Sequence, residues 1–393
     1  MEALVRKKTQ GNIDLKQYGM VLALIAIYLL FYVLTGGTNA SAANINNLIM
    51  QNGYIIILSV GMLLCVLTGN IDLGVGSVVA VCGASAAIAV VDFGMPVIVG
   101  FLAAIVVGGL FGIFTGFFVS VLSIPPFIVT LATMLIGRGF TYTILQAQTK
   151  GPLPPSYTKV GAGFLPSKKI PLFGNNLDLL CIIVALVATA LIVLSTVRAN
   201  NTKRKYGFSI LPPWQEVLKL SMILFIVWFV LLKLASYKGI PMVLVLMGVL
   251  VAFYHFITEK TVAGRQIYAL GGNAKAARLS GINTRRVFFW VYANMGLLCG
   301  VAGIVLSARN ASATPKAGDG FEMDAIASCY IGGAAIAGGA GTIIGAVVGA
   351  LIMGILNNGM SLVGLSTDIQ KIVKGMVLLG AVTIDLVSKQ KKA

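Results

Sequence analysis

Charge is what this sequence is short of. Only 10% of its 393 residues are charged, and 12 acidic side chains stand against 29 Lys and Arg. A water-soluble domain carries about a quarter of its residues as Asp, Glu, Lys or Arg, so a solvated surface all round is excluded. Histidine occurs once, at His255, which excludes a paired-histidine metal helix and leaves little for a histidine triad. Near the end of an apolar run, His255 reads as an interfacial packing residue. No Gly-Lys dipeptide occurs, so there is no phosphate loop and the chain does not hydrolyse ATP by itself. The cysteines Cys65, Cys82, Cys181, Cys299 and Cys329 lie in apolar segments at no ligand spacing, which argues against a disulfide framework or metal site. No paired carboxylates or other catalytic set stands out. Short alternating segments are missing too, which excludes a membrane β-barrel.

What is present in quantity is apolar sequence, 58% of the chain, in runs of roughly 18 to 25 residues, the length of a helix that crosses a bilayer. Candidate spans lie near 18–35, 47–67, 74–91, 96–122, 127–146, 177–197, 217–235, 241–258, 287–308, 324–338, 341–357 and 369–387. The fold expected is all-α and polytopic, a single domain over 1–393 with roughly 10–12 transmembrane helices, some broken or short. Lys and Arg mark loops left in the cytoplasm. They cluster at Arg6, Lys7, Lys8 and Lys16, at Arg198, Lys203, Arg204 and Lys205, at Lys260, Arg265, Lys275, Arg278, Arg285 and Arg286, and at Lys389, Lys391 and Lys392. A chain that starts inside and crosses an even number of times keeps all four clusters, and both termini, in the cytoplasm. The Thr149–Asn176 loop, with Lys150, Lys159, Lys168 and Lys169, falls outside on this count. A cleavable signal peptide ending near Ala40–Ala42 is the alternative for the first run; its length favours a retained helix. The net charge of +17 is split among these loops and surrounds no aromatic-interleaved domain, so nucleic acid is not an expected partner.

Polar residues at membrane depth are costly and face a cavity, a partner or an interface. Candidate pathway residues are Gln51 and Asn52 in the second run, Asn70, Asp72 and Ser77 in "TGNIDLGVGS", Glu322 and Asp324 in "GDGFEMDAIA", and Asn357 and Asn358 in "LNNGMSLVGLSTDIQKIVKG". Glycine-interrupted apolar segments are where transporters place broken helices around a permeation path. Asp72 and Asp324 could equally cap helix N-termini. Gly341, Gly345 and Gly349, and again Gly108, Gly112 and Gly116, recur every fourth residue and make smooth faces for close helix packing.

Between two apolar runs stands "GGNAKAARLSGINTRR", Gly271 to Arg286. Gly271 and Gly272 permit a turn, Asn273 is a good N-cap, Ala274–Leu279 are strong helix formers and Gly281 suits the helix stop. Thr284 can cap the next helix. The expected product is a short, smooth helix outside the membrane, shaped to enter a groove on another protein.

"YALGGNAKAARLSGINTRRV" resembles the cytoplasmic coupling loop of the ribose/xylose/galactose-type permeases of bacterial ATP-binding-cassette uptake transporters. "TGNIDLGVGS", "IPPFIVTLATMLIGRGF", "AGDGFEMDAIASCYIGGAAIAGG" and "LNNGMSLVGLS" with "QKIVKGMVLL" resemble other signatures of that family, in the same order, from about residue 44 onward. The resemblance implies a multi-pass permease of the inner membrane that moves a monosaccharide by alternating access. Its partners would be a cytoplasmic ATPase holding the ATP and Mg, an extracytoplasmic sugar-binding protein and a second permease copy, with no cofactor on this chain. It implies an ATPase-coupling role within 264–286 for Gly271, Gly272, Asn273, Ala277, Arg278, Ser280 and Gly281. The long Thr149–Asn176 loop and a block at 198–240, which adds a cytoplasmic loop and a span, resemble the xylose and multiple-monosaccharide branch. "IGGAAIAGG" replaces a more usual serine-containing turn. Rival readings are a branched-chain amino-acid permease of the same superfamily, a secondary transporter, which would be expected to show more buried carboxylate or histidine relays, and a scaffolding membrane protein.

Overall fold

The computed structural model describes residues 15–172, 175–207 and 212–390. Arg6, Lys7, Lys8, Lys391 and Lys392 lie outside the described residues. Leu15–Leu34 forms α1 and Ala42–Leu67 forms α2, joined by a 3-10 turn at Thr38–Ala40. Val75–Val91 (α3), Val97–Ser120 (α4) and Pro126–Leu145 (α5) follow. Next come the short α6, Pro155–Ala162, and a hairpin of β1, Lys169–Leu172, and β2, Asn175–Asp178. Leu179–Lys205 (α7), Pro213–Ala235 (α8) and Met242–Lys260 (α9) lead to Val262–Gly272 (α10) and Ala274–Leu279 (α11). Thr284–Asn310 (α12), Phe321–Ile331 (α13), Ile343–Leu362 (α14) and Thr367–Gln390 (α15) complete the chain.

Eight of these helices, α2, α4, α5, α7, α8, α9, α12 and α14, are long and apolar enough to cross a membrane among the described residues. α2, α12 and α14 are mostly buried within the protein, whereas α7 and α8 bury little of their surface there. Apolar surface left outside the core on α7 and α8 is what a bilayer would solvate. Lipid gives helices no hydrophobic reason to pair, so close contact needs small residues. α4 meets α12 through glycines: a Cβ on Gly108 would strike Gly296 and Gly300, and one on Gly112 would strike Tyr292 and Ala293. On α14, Gly345 and Gly349 abut Gly332 and Ser328. The expected fourth-residue glycine face starts there, because Gly341 precedes the helix in a non-helical turn.

α3 and α13 are shorter than a full crossing, and the stretch of chain before each supplies the rest of the depth. α3 has 17 residues and α13 has 11, about 25 and 16 Å at 1.5 Å per residue, against a hydrocarbon core of about 30 Å. The expected span at 324–338 is therefore corrected: the helix ends at Ile331, and the chain turns through Gly333, Gly338 and Gly339, all at positive φ. Positive φ is open to glycine and ends a right-handed helix.

The two ends of the bundle differ. One carries α10, α11 and the turn 332–342. The other carries most of Thr149–Asn176 as a folded cap: the Tyr157 hydroxyl lies 2.9 Å from the Ser307 hydroxyl, Lys150 exchanges backbone hydrogen bonds with Ala313, and the Leu165 N–H donates to the Ile240 carbonyl at 2.9 Å. Lys150 also pairs with Asp92 at 2.9 Å.

Candidate functional site

Tyr54, the thirteenth of the 26 residues of α2, stacks on Phe321 with ring centroids 4.0 Å apart. That contact sets the start of α13 at the middle of the bundle. The start of α3 lies beside it: a Cβ on Gly76 would collide with the Gly318 carbonyl and with Glu322, and one on Gly318 with the backbone of Gly76. Gly318 also holds φ +73°. Two helix N-termini thus meet mid-bundle, backbone against backbone, the geometry of two helices broken at membrane depth.

Helix N-termini carry positive partial charge that acidic side chains complement. Asp72, Asp319, Glu322 and Asp324 gather around these two. Asp72 is buried and accepts the Gly74 N–H at 2.8 Å through Oδ1. This is a local Asx turn, and the N-cap of α3 is Gly74, without side-chain help. α13 starts after Gly320, again without a side-chain cap. Capping by Asp72 and Asp324 is therefore corrected for both residues. Asp324 has other partners: Lys374 Nζ lies 3.0 Å from Oδ1, and Asn357 Nδ2 lies 3.3 Å from Oδ2. One turn outward, Lys371 pairs with Asp319 at 2.8 Å. Two salt bridges tie α15 to α13 and the loop before it.

Arg138 on α5 donates through Nη1 to the Pro315 carbonyl at 2.9 Å and to the Ala317 carbonyl at 2.7 Å. A guanidinium forks readily to such acceptors, and here it holds the loop that descends to Gly318. Sequence reading passed over Arg138, Lys371, Lys374 and Tyr54. The signal for the three cations was available, since each interrupts an apolar run.

The other expected pathway residues divide. Ser77 is buried on α3 with no hydrogen-bond partner for its Oγ, and Asn52 is buried on α2 with neither amide atom partnered, facing Gly354 of α14. Both sit in the central region; Gln51 neighbours Asn52 and is half-buried. Asn358 points away from Asn357. It exchanges hydrogen bonds of 2.9 and 3.1 Å with Asn44, which also donates to the Asn39 carbonyl at 3.0 Å. That amide clamp fastens α14 to α2 and the turn before it. Asn70 bonds the Thr68 carbonyl at 3.1 Å in the turn after α2, at the α10 end and away from the crossing.

At the α10 end, Asn273 does cap α11, accepting the Ala276 N–H at 2.9 Å. Gly281 holds φ +85° after the helix stop. Asn283, and not Thr284, caps α12, accepting the Arg286 N–H at 3.0 Å; Thr284 is already helical. Gly271 and Gly272 form no turn but close α10. Gly271 lacks a side chain for a reason of space: a Cβ there would overlap the Leu67 carbonyl. Ala277 is 4% exposed and faces its own chain, so it is not free to line another protein's groove. Arg278 and Ser280 are exposed, and Leu279 is 82% exposed.

A contact path joins this loop to the crossing. The Gly339 N–H donates to the Leu67 carbonyl at 2.9 Å, and the Tyr268 hydroxyl donates to the Gly341 carbonyl at 2.7 Å. Both carbonyl partners belong to segments that lead inward: Leu67 ends α2, and Gly341 lies in the turn that α13 enters.

Over residues 44–382 the chain matches the family described as branched-chain amino acid transport system / permease component. It is 37% identical over 380 residues to the xylose transport system permease protein XylH of Haemophilus influenzae, covering 97% of this chain and 98% of that one. Identity to XylH of Escherichia coli K12 is 36% over 386 residues, covering 97% and 94%. Identity to the ribose import permease protein RbsC of Escherichia coli K12 is 35% over 342 residues, covering 87% and 85%. No solved structure matches the chain significantly.

Proposed function

Because the chain belongs to this permease family, matched across residues 44–382, we propose that it is the membrane-spanning subunit of an ATP-driven importer for a monosaccharide, a xylose-like pentose or a hexose. The relatives' names carry the substrate class. The contact path from α10 and α11 through Leu67 and the turn 332–342 to α13 carries the mechanism. On this reading the α10 end and both termini are cytoplasmic, where the positive-inside rule sets the basic C-terminal turns of α7 and the basic stretch 260–286. The cap at Thr149–Asn176 faces the sugar-binding protein.

A partner shifts a conformational equilibrium only by binding its states unequally. A cytoplasmic ATPase, which holds the ATP and Mg, grips α11 differently before and after nucleotide closure. α10 moves with α11. Gly271 rides on the Leu67 carbonyl and Tyr268 on Gly341, so the shift reaches α13, whose first turn holds Glu322 and Asp324 at the crossing with α3. Moving that turn changes which side the polar centre faces, and a second copy of the chain completes the path.

Uptake of labelled sugar into proteoliposomes tests the proposal. Transport is expected to require ATP, the cognate ATPase and the binding protein together, with competition by xylose or ribose and none by leucine. The family description favours one rival, a branched-chain amino-acid permease. Leucine uptake with the same components would select it, and uptake driven by an ion gradient without the ATPase would dismiss both.

A further inference from the structure

Between the last turns of α9, the first two turns of α10, the first three turns of α12 and Leu64 of α2 lies a cavity of about 560 Å³. That volume lies within the range of about 300–1,000 Å³ of ligand pockets. Its walls are apolar, with Ile257, Val262, Ile267, Val287 and Val291 among them. Its lining runs from Gly281 and Asn283 to Asn294. The path from Asn283 to Asn294 along α12 measures about 16 Å by helical rise, the depth of one leaflet of a core of about 30 Å. At the deep end the Tyr254 hydroxyl donates to Asn294 Oδ1. Val262 and Trp290 line the cavity at 58% and 59% exposure, so the cavity is open at the surface between the start of α10 and α12.

The chemistry of the mouth is cationic. Arg286 lines it, is exposed, and forms no ion pair among the described residues. Lys260, Arg265 and Arg285 are exposed on the same segments, α9, α10 and α12, and Glu259 is the nearby acid in sequence. A leaflet-deep apolar slot with a cation at its aqueous end complements one kind of occupant. We propose that this cavity binds a phospholipid with an anionic headgroup, its acyl chain along α12 and its phosphate at Arg286. Because α10 forms one wall, the lipid braces the segment that carries α11 against α12. The inference rests on the membrane setting of the family and is independent of which solute is carried.

Trp290 is a built-in reporter, since the chain has three tryptophans and Trp214→Phe with Trp228→Phe leaves it alone. The test measures quenching of Trp290 in nanodiscs by phosphatidylglycerol or phosphatidylcholine brominated on the acyl chain, with and without bound ATPase. Anionic lipid is expected to quench preferentially. Arg286→Gln should lower that preference about fivefold, and Ala263→Phe, which fills the slot, should abolish it while the purified chain stays monodisperse. Equal quenching by both lipids in the unaltered site would mark ordinary boundary lipid and overturn the proposal. So would relief of quenching by soluble glycerol phosphate, which would show an anion without a chain. Loss of quenching whenever the ATPase binds would assign the slot to that partner and overturn the proposal too. Sugar uptake need not be measured, so failure here is separate from failure of the transport reading.

Discussion

Asp324 and Lys374 lie fifty residues apart in the chain and 3.0 Å apart in the fold. The pairing was not legible in the sequence. Composition announces that an ionisable residue at membrane depth needs a partner but not which one, and Asp319, Glu322, Lys371 and Lys374 offered several combinations. Removing one member of a buried pair leaves the other uncompensated. Asp324→Asn is expected to lower stability by about 2 kcal/mol, less than the about 3–5 for a fully enclosed pair, because Lys374 keeps 21% of its side chain exposed. Adding Lys374→Met should restore thermal stability in a detergent melt while uptake stays impaired. Recovery of both would make the pair purely structural. Asp72→Asn isolates charge from geometry, since the amide oxygen can still accept the Gly74 N–H. Uptake is expected to fall about tenfold with no change in melting temperature, the consequence of losing about 1.4 kcal/mol of stabilisation in the transport cycle. Gly318→Ala should destabilise by about 2–3 kcal/mol, because the new Cβ meets the Gly76 backbone and the site holds φ +73°. A melt unchanged within error would contradict that close approach.

Among elements, the helices were legible and their breaks were not. Each of the twelve expected spans corresponds to a helix, because an apolar run of that length has few other ways to satisfy its backbone in lipid. The run at 324–338 misled because "IGGAAIAGG" is as apolar as a span. What ends α13 is backbone conformation at Gly333, two residues past its last turn, which hydropathy does not register. In the same way the glycines at 271 and 272 look like a turn in sequence, yet Gly271 is there to let α10 touch α2. α11 itself was legible from its cap, its alanines and its stop, but the face it offers was not. Ala277 is buried and Leu279 exposed. Leu279→Ala and Gly281→Pro are therefore expected to reduce co-purification of the ATPase and its stimulation by loaded binding protein, the first by about tenfold if the leucine side chain, worth about 1.5–3 kcal/mol when fully buried, enters a partner groove. Ala277→Trp should instead damage the chain's own packing. Stoichiometric association in both of the first two variants would move the docking site away from α11.

For the molecule as a whole, orientation is the property that decides every other reading, and it can be checked with thiols. All five native cysteines are buried, so an impermeant maleimide should find little background. Lys159→Cys in the cap is expected to label on intact cells, and Arg278→Cys on α11 only after permeabilisation; the reverse pattern would invert the protein. On the proposed orientation, the cap puts the lysines of 149–176 outside, against the charge rule. They belong to a folded unit in which Lys150 answers Asp92 and Lys169 Nζ donates to the Tyr237 carbonyl. The block expected at 198–240 looks different in space: α8 packs on α7, Trp228 donating to Thr189 at 3.0 Å, and the pair is a two-helix unit. Asp178, where the unit begins, lies against Gly239, where it ends. A segment whose ends touch and whose crossings cancel is a removable module. Excising 179–238 and closing the gap with a short link should leave every later helix with its original sidedness, so a lineage could gain or shed this pair in one step without turning the transporter inside out.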